Sequence, residues 1–504
     1  MSAPETRDSV RDRHSKAHSD ALDGVEIEPW IGGESVSAEE STPTVDPVVG
    51  EPITTVSVCD SAMVDRAVET AWEAFERTWA ETTPTDRAQR LADWVETLEA
   101  HRDELSLLEC LDTGKPRAEA QAEVDGAIST LEYYASVART QSGQQIPAGN
   151  DLHMYTRMEP FGVVGQVTPW NFPSWAAAWK LGPALAAGNC SVLKPSAHAP
   201  LTTVRMAQLA TEIFPDGVIN VVTGTGRKTG AALTEHDDVR KLSFTGSGEV
   251  GSEVMRAAAE RIAPVTLELG GKSPLIVFPD ADIDTAVAAA ANGVYYSTGE
   301  ICDALSRVIV HEDVHDEFVD RLVSRAESYT LGDPLVEGTT LGPLTNAQQL
   351  ETVTEYVEIG RNQGATLATG GGVPDEGALA DGYFVEPAVF TDVENEMRIA
   401  QEEIFGPVQT VQAFESYDEA IALANATDYG LAGGIVTEST DRVHAAVRDI
   451  DAGIIYVNAY GPIRPEGPYG GFKQSGIGRD LGEAAVDHYQ QTKTVYVNID
   501  EPEL

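Results

Sequence analysis

The sequence predicts an α/β fold divided into more than one domain. Short apolar runs alternate with amphipathic helical segments along most of the chain. Glycine-rich turns follow several of the apolar runs. At 504 residues the chain exceeds what one hydrophobic core usually serves, so two to four domains are expected.

The elements follow in order. Residues 1–22 are polar, lack the apolar centre of a signal peptide, and are predicted to be a mobile tail. Val64–Ala80 and Asp86–Arg102 place Ala, Leu and Trp on one helical face. Phe161–Thr168 and Cys190–Leu193 read as buried strands. A helix opened by Pro200–Thr203 is expected to run to about Phe214. Val218–Val222 is a strand before the glycine-rich Gly224–Gly230. Leu242–Thr245 is a strand, Gly246–Gly251 a turn, and a helix then reaches about Ile262. Val265–Leu269 and Pro274–Phe278 are further strands. From Asp282 an Ala-rich helix restarts the rhythm, which suggests a second α/β unit. Ile454–Asn458 precedes a Gly/Pro-rich loop through Gly478. Lys493–Ile499 is an end strand that must find an edge to pair with, and a subunit interface is one candidate.

The charge excludes whole classes of function. The chain carries 81 Asp+Glu against 34 Lys+Arg, a formal charge of −47. Nucleic acid binding through phosphate neutralisation needs clustered cations, and so does a polybasic membrane patch. At 42% hydrophobic residues the chain is too apolar for acid-rich disorder, so the acids belong on the surface. Such a surface repels itself unless salt screens it, which points to a cytoplasmic protein of a high-salt cell. The same field repels anionic substrates and cofactors, so their KM should fall as salt rises. Only nine residues are lysine; Lys194, Lys272 and Lys473 lie inside the motifs described below, and Lys180 follows the first of them closely. Cys59, Cys110, Cys190 and Cys302 are far apart and form no metal-ligand spacing, so free thiols in a reducing compartment are expected.

One local pattern has two readings. Gly246-Ser-Gly-Glu-Val-Gly251 follows a strand, opens a helix, and has Glu268 at the end of the next strand. That is the dinucleotide fingerprint, with Glu268 as the acid on a ribose hydroxyl. A helix start merely capped by Ser247 is the plainer reading.

The longer pattern decides between them. Pro169-Trp-Asn-Phe-Pro173, Lys194-Pro-Ser196, Phe244-Thr-Gly-Ser247, Leu267-Glu-Leu-Gly-Gly-Lys-Ser-Pro274, Gly299-Glu-Ile-Cys302, Glu402-Glu-Ile-Phe-Gly-Pro407 and Pro468-Tyr-Gly-Gly-Phe-Lys-Gln-Ser-Gly476 occur in one order over some 300 residues. Asp112-Thr-Gly-Lys-Pro116 extends the set upstream. Together they resemble the NAD(P)-dependent aldehyde dehydrogenase superfamily. The resemblance implies a Rossmann-type cofactor domain (residues 23–133 and 160–281), an α/β catalytic domain (282–481), and a small β oligomerisation element (134–159 and 482–504). It implies a homodimer or homotetramer acting on a small-molecule aldehyde.

The resemblance also assigns roles. Cys302 is the expected nucleophile, forming a thiohemiacetal and then a thioester; its thiol should be lowered by N–H dipoles or by the oxidised nicotinamide. Glu268 is the expected base that activates water, giving a free acid and not an acyl-CoA. Asn171 is the oxyanion donor. Lys180 and Asp480 sit where a Lys and a Glu relay the base's proton; the shorter acid makes a structural ion pair an equal reading. Trp170, Gly246 and Ser247 should face the pyrophosphate, Lys194 the adenosine ribose, Glu403 the nicotinamide ribose and Phe405 the nicotinamide, with Gly226 at the adenine end. Ala197 stands where NAD-preferring members carry Glu, and Ser196 and His198 are near enough to receive a 2′-phosphate, so NADP or dual use is favoured slightly over NAD. No metal is implied.

Phe172, Trp179, Tyr296 and Tyr469 map to the aromatic substrate tunnel. Asp303 replaces a small neutral residue and either faces that tunnel or faces solvent. The closest likeness is the betaine and amino-aldehyde branch, whose cationic substrates suit aromatic walls. A semialdehyde acid received by Arg464, or a broad aldehyde range, stays open. A catalytically silent binding protein of the same fold is the alternative from another class.

Overall fold

The computed structural model describes residues 6–499. Two open sheets organise it. The first has eight strands in the order Glu34–Ser35, Trp30–Ile31, Ile219–Val221, Cys190–Lys194, Val163–Val167, Lys241–Thr245, Val265–Glu268, Gly476–Ile477. Its five inner strands are parallel and its edges antiparallel. The chain winds from Val163–Val167 toward Ile219–Val221, then crosses back to start Lys241–Thr245 on the other side. This reversal is the switch point where open α/β sheets leave a crevice at the carboxyl ends of their strands. The inner strands are buried on both faces, as parallel strands covered by helices must be.

The second sheet has seven strands in the order Thr366–Thr369, Ala388–Thr391, Val408–Phe414, Arg307–His311, Pro274–Val277, Ala432–Val436, Ile454–Val457. It begins at Pro274, so the second unit starts before the expected residue 282. The chain leaves the first sheet at Glu268 and enters the second six residues later, too soon for an intervening helix. The expected boundary at 134 also moves. Helix Arg117–Val137 is one element, and Tyr134 and Val137 pack in the first core. Helix Gly482–His488 likewise puts Ala485 and Val486 in that core.

The strand Gln490–Asn498 finds its edge within its own chain. It pairs antiparallel with Leu152–Pro160, from Gln490 opposite Pro160 to Asn498 opposite Leu152. Helix Leu201–Gln208 is shorter than expected, because Leu209–Phe214 continues as turns.

The expected mobile tail is largely a docked helix. Arg7–Ala21 is helical, capped by Thr6 and Ser9 reciprocally, with Val10, His14 and Ala21 buried. Its few apolar residues hid it; polar contacts of His14 and His18 with distant acids do the docking. Residues 1–5 lie outside the described residues.

Five of the nine lysines, Lys115, Lys180, Lys194, Lys241 and Lys272, are buried. The other four each pair with an acid. Among the described residues no helix is long and apolar enough to cross a membrane.

Candidate active site

Cys302 lies in the loop between the turn Tyr296–Gly299 and the strand Arg307–His311. The approach to it is wound tightly: Ser297 and Thr298 have φ of 48° and 51°, and Gly299 has 78°. Each non-glycine residue there costs about 1–2 kcal/mol. The surroundings hold them in place. The Ser297 N–H donates to Glu119, at 2.9 Å. A Cβ on Gly299 would lie 2.2 Å from the Gly406 carbonyl carbon, so only glycine fits there.

Two cavities meet at this thiol. One, of about 530 Å³, is walled by Phe172, Trp175, Trp179, Tyr296, Tyr460 and Tyr469 and reaches Asp303. The other, of about 260 Å³, runs from Cys302 past Glu268 to Gly246, Ser247, Glu403, Phe405 and Trp170. Asn171, Trp179, Cys302 and Tyr469 border both. The expected tunnel residues and five of the eight expected cofactor residues are thus gathered around one sulfur.

The strands explain the gathering. Asn171 and Trp170 follow Val163–Val167, Gly246 and Ser247 follow Lys241–Thr245, and Glu268 ends its own strand opposite Thr245. All three ends open at the switch point.

The Asn171 amide donates to the Glu300 backbone carbonyl, at 2.7 Å, two residues from Cys302. The Glu300 carboxylate is fixed in turn by the Thr345 hydroxyl, at 2.8 Å. The backbone carbonyl of Asn171 accepts from the buried Lys115 ammonium, which also pairs with Glu123. Lys115 was given no role from the sequence. Its signals were its place in Asp112–Pro116 and the scarcity of lysine.

Glu268 is 3% exposed, and neither carboxylate oxygen has a hydrogen-bond partner among the described residues. Burial, then Asp480, push its carboxyl well above the ordinary range, while Lys180 and Arg479 pull the other way. A Cβ on Gly470 would come within 2.6 Å of its Oε1, so the glycine makes room for this acid. Lys180 and Asp480 form a fully buried ion pair at 2.6 Å beside it.

The Cys302 thiol is not lowered by its protein surroundings. Burial and then Asp303 raise it, Glu403 and Glu268 add to the rise, and only the Tyr469 hydroxyl, 3.2 Å from Sγ, opposes them. The sequence puts Asp303 beside the thiol but hides Glu403 and Glu268, which approach it from distant segments.

Asp303 does not face solvent. It is 1% exposed, and it accepts from Tyr456 at 2.6 Å and Tyr460 at 3.1 Å. Tyr456 and Tyr460 were not anticipated, since more than 150 residues separate them from Asp303.

Toward the other cavity, Ser247 caps the helix Gly248–Glu260 and also lines the cleft. A free helix N-terminus with an open Gly248 suits a phosphate group. Glu403 reaches the Gly271 N–H, at 3.1 Å, over Gly270, whose Cβ would collide with it. Burial pushes Glu403 up to about 7. Phe405 meets Trp170 edge-on, ring centres 5.2 Å apart. Lys194, Ser196 and Gly226 do not line this cavity. Lys194 is buried, donates to the Pro195 carbonyl at 2.7 Å, and is pushed down to about 8 by burial. Arg464 is exposed and lines neither cavity.

The chain matches the aldehyde dehydrogenase family over residues 32–495. It belongs to that family. Membership makes it an oxidoreductase of aldehydes. An aldehyde dehydrogenase of Aspergillus niger is 42% identical over 474 residues, 93% of this chain and 95% of that one. The NAD+ complex of an aldehyde dehydrogenase from Bacillus cereus is 43% identical, with a TM-score of 0.93 over 95% of this chain and 98% of that one. A betaine aldehyde dehydrogenase of Staphylococcus aureus, also in complex with NAD+, is 37% identical, with a TM-score of 0.95 over 97% of this chain and 98% of that one.

Proposed function

We propose that the protein oxidises a cationic aldehyde to its free carboxylic acid with NAD(P)+, through a covalent intermediate on Cys302. The observation that carries this is the meeting of both cavities at one thiol, with an unpartnered buried carboxylate, Glu268, beside it.

The aldehyde enters along the aromatic wall and its carbonyl carbon is attacked by the Cys302 sulfur, giving a thiohemiacetal. The thiol gives up its proton to water in the cleft as the bond forms. The Asn171 amide turns from the Glu300 carbonyl to the developing alkoxide. When bound, NAD(P)+ supplies the hydride acceptor; Trp170, Gly246 and Ser247 would receive its pyrophosphate, Glu403 its nicotinamide-side ribose, and Phe405 its ring. Loss of hydride leaves a thioester on Cys302. Glu268 then deprotonates the water that hydrolyses it, which yields the acid and not an acyl-CoA. Lys180 and Asp480 hold charge next to Glu268 and give its proton a route away from the cleft.

The substrate class follows from the tunnel's charge. Its aromatic wall ends at the buried Asp303, and its one cationic lining residue, Lys180, is already paired with Asp480. A quaternary or protonated amine finds ring faces and an anion there. A semialdehyde carboxylate finds no free cation, with Arg464 outside the lining. Ala197 leaves the adenine-side ribose without a carboxylate, which suits dual use of NAD and NADP. The open edge of the strand Gln490–Asn498, with Tyr496 and Val497 exposed, suits a homodimer or homotetramer. The high-salt cytoplasm read from the charge is part of the same proposal.

A panel of cationic, neutral and anionic aldehydes with each cofactor, at molar salt, tests it. The highest kcat/KM should fall on a cationic aldehyde, and Cys302→Ala should abolish turnover. A preference for anionic aldehydes would overturn the substrate class.

A further inference from the structure

The docked N-terminal helix carries a side-chain cluster that the catalytic site does not use. His14 and His18 sit one helical turn apart and converge on Asp46, the last residue of the strand Ser41–Asp46. His14 Nδ1 and His18 Nε2 each lie 2.6 Å from the same oxygen, Asp46 Oδ2. The three atoms fall within 4.8 Å of one another. Asp46 Oδ1 points away and accepts the Val48 N–H at 2.9 Å, which fixes the carboxylate plane. The second nitrogen of His14, Nε2, bonds Asp333 Oδ1 at 3.0 Å. Asp333 is itself held by the Leu335 N–H, at 2.8 Å, and by an ion pair with Arg13. His14, Asp46 and Asp333 are buried, while His18 is half-buried and leaves one side of the cluster open to water.

We propose that His14, His18 and Asp46 form a binding site for a divalent ion of the zinc class, which staples the N-terminal helix to the body of the fold. Two imidazole nitrogens and one carboxylate oxygen are a donor set for Zn²⁺, Co²⁺ or Ni²⁺. Asp333 supplies what a metal-bound histidine ordinarily has, a carboxylate on its other ring nitrogen. Tetrahedral zinc with bonds of about 2.0–2.1 Å sets its ligand atoms roughly 3.3 Å apart, so the 2.6 Å contacts need open by less than about 1 Å. On binding, each ring's proton toward Asp46 leaves to solvent and a metal–nitrogen bond replaces it. A water fills the fourth position on the open side beside His18. The three ligands come from two segments and Asp333 from a third, so the ion ties together parts of the chain some 300 residues apart in sequence.

The test uses the full-length, untagged chain carrying Cys302→Ala, so that the reactive thiol cannot compete for metal. After chelator treatment and its removal, Zn²⁺ is titrated calorimetrically and Co²⁺ by visible absorption. A single equivalent should bind, with Co²⁺ d–d bands and no thiolate charge-transfer band, and the thermal midpoint should rise with Zn²⁺. His18→Gln and Asp46→Asn should each abolish the rise, and Asp333→Asn should weaken binding at least about tenfold. His18 is partly exposed, so His18→Gln keeps the test valid even if Asp46→Asn fails to fold. No binding, or binding that His18→Gln leaves unchanged, would overturn the proposal.

Discussion

Replacing Glu268 with Gln separates the two halves of the proposed reaction. The side chain keeps its shape, and among the described residues neither oxygen has a close hydrogen-bond partner, the Asp480 N–H alone lying near enough to act on it. The effect on stability can be signed. A carboxyl raised above its ordinary value binds more protons folded than unfolded, so it destabilises increasingly as pH climbs past the ordinary carboxylate range. Glu268→Gln removes that term and should be at least as stable as the wild type at pH 8. The catalytic effect runs the other way. General-base assistance is worth about 10²–10⁴-fold in rate, or roughly 3–5 kcal/mol of barrier. Stopped-flow absorbance of the reduced cofactor should show a burst followed by a steady rate lower by that factor. Wild-type turnover should rise with pH as Glu268 ionises, and that ascending limb should vanish in the variant. A steady rate within tenfold of wild type, with the limb intact, would refute the role given to Glu268.

Three further outcomes are expected. Asn171→Ala should lower kcat by about 10²–10³-fold with less change in KM, as expected for a donor that acts on the developing oxyanion; kinetics on the best aldehyde checks it. Asp303→Asn should lower the Cys302 thiol, since Asp303 is the largest charge raising it, so alkylation at neutral pH should quicken while preference for cationic aldehydes shrinks. Lys241 is pushed down to about 7 by burial and then by Lys180, against 10.5 in the unfolded chain. Its penalty is therefore full below pH 7 and fades toward pH 10.5. Lys241→Met should raise the thermal midpoint most near pH 6 and least near pH 10, and a shift equal at both would show that burial of the charge is not the cause.

Much of the fold was legible because parallel strands buried on both faces leave continuous apolar runs, as in Val163–Val167 and Pro274–Val277. The site's gathering was legible through motifs that each end a strand or open a helix. What sequence pattern hid were contacts between residues far apart along the chain. The helix Arg7–Ala21 has almost no apolar stripe and is seated through Asp46 and Asp333. For Asp303 the sequence left tunnel and solvent equally open, and only folding brings Tyr456 and Tyr460 onto it. Lys194, Ser196 and Gly226, expected at the adenosine end, do not line the part of the cleft that Glu403 and Phe405 wall.

The central claim is a covalent acyl intermediate on Cys302. Glu268→Gln chain mixed with excess aldehyde and cofactor, quenched in acid and digested, should show the acyl mass on the Cys302 peptide alone. An unmodified Cys302 peptide after a full burst of reduced cofactor would contradict it.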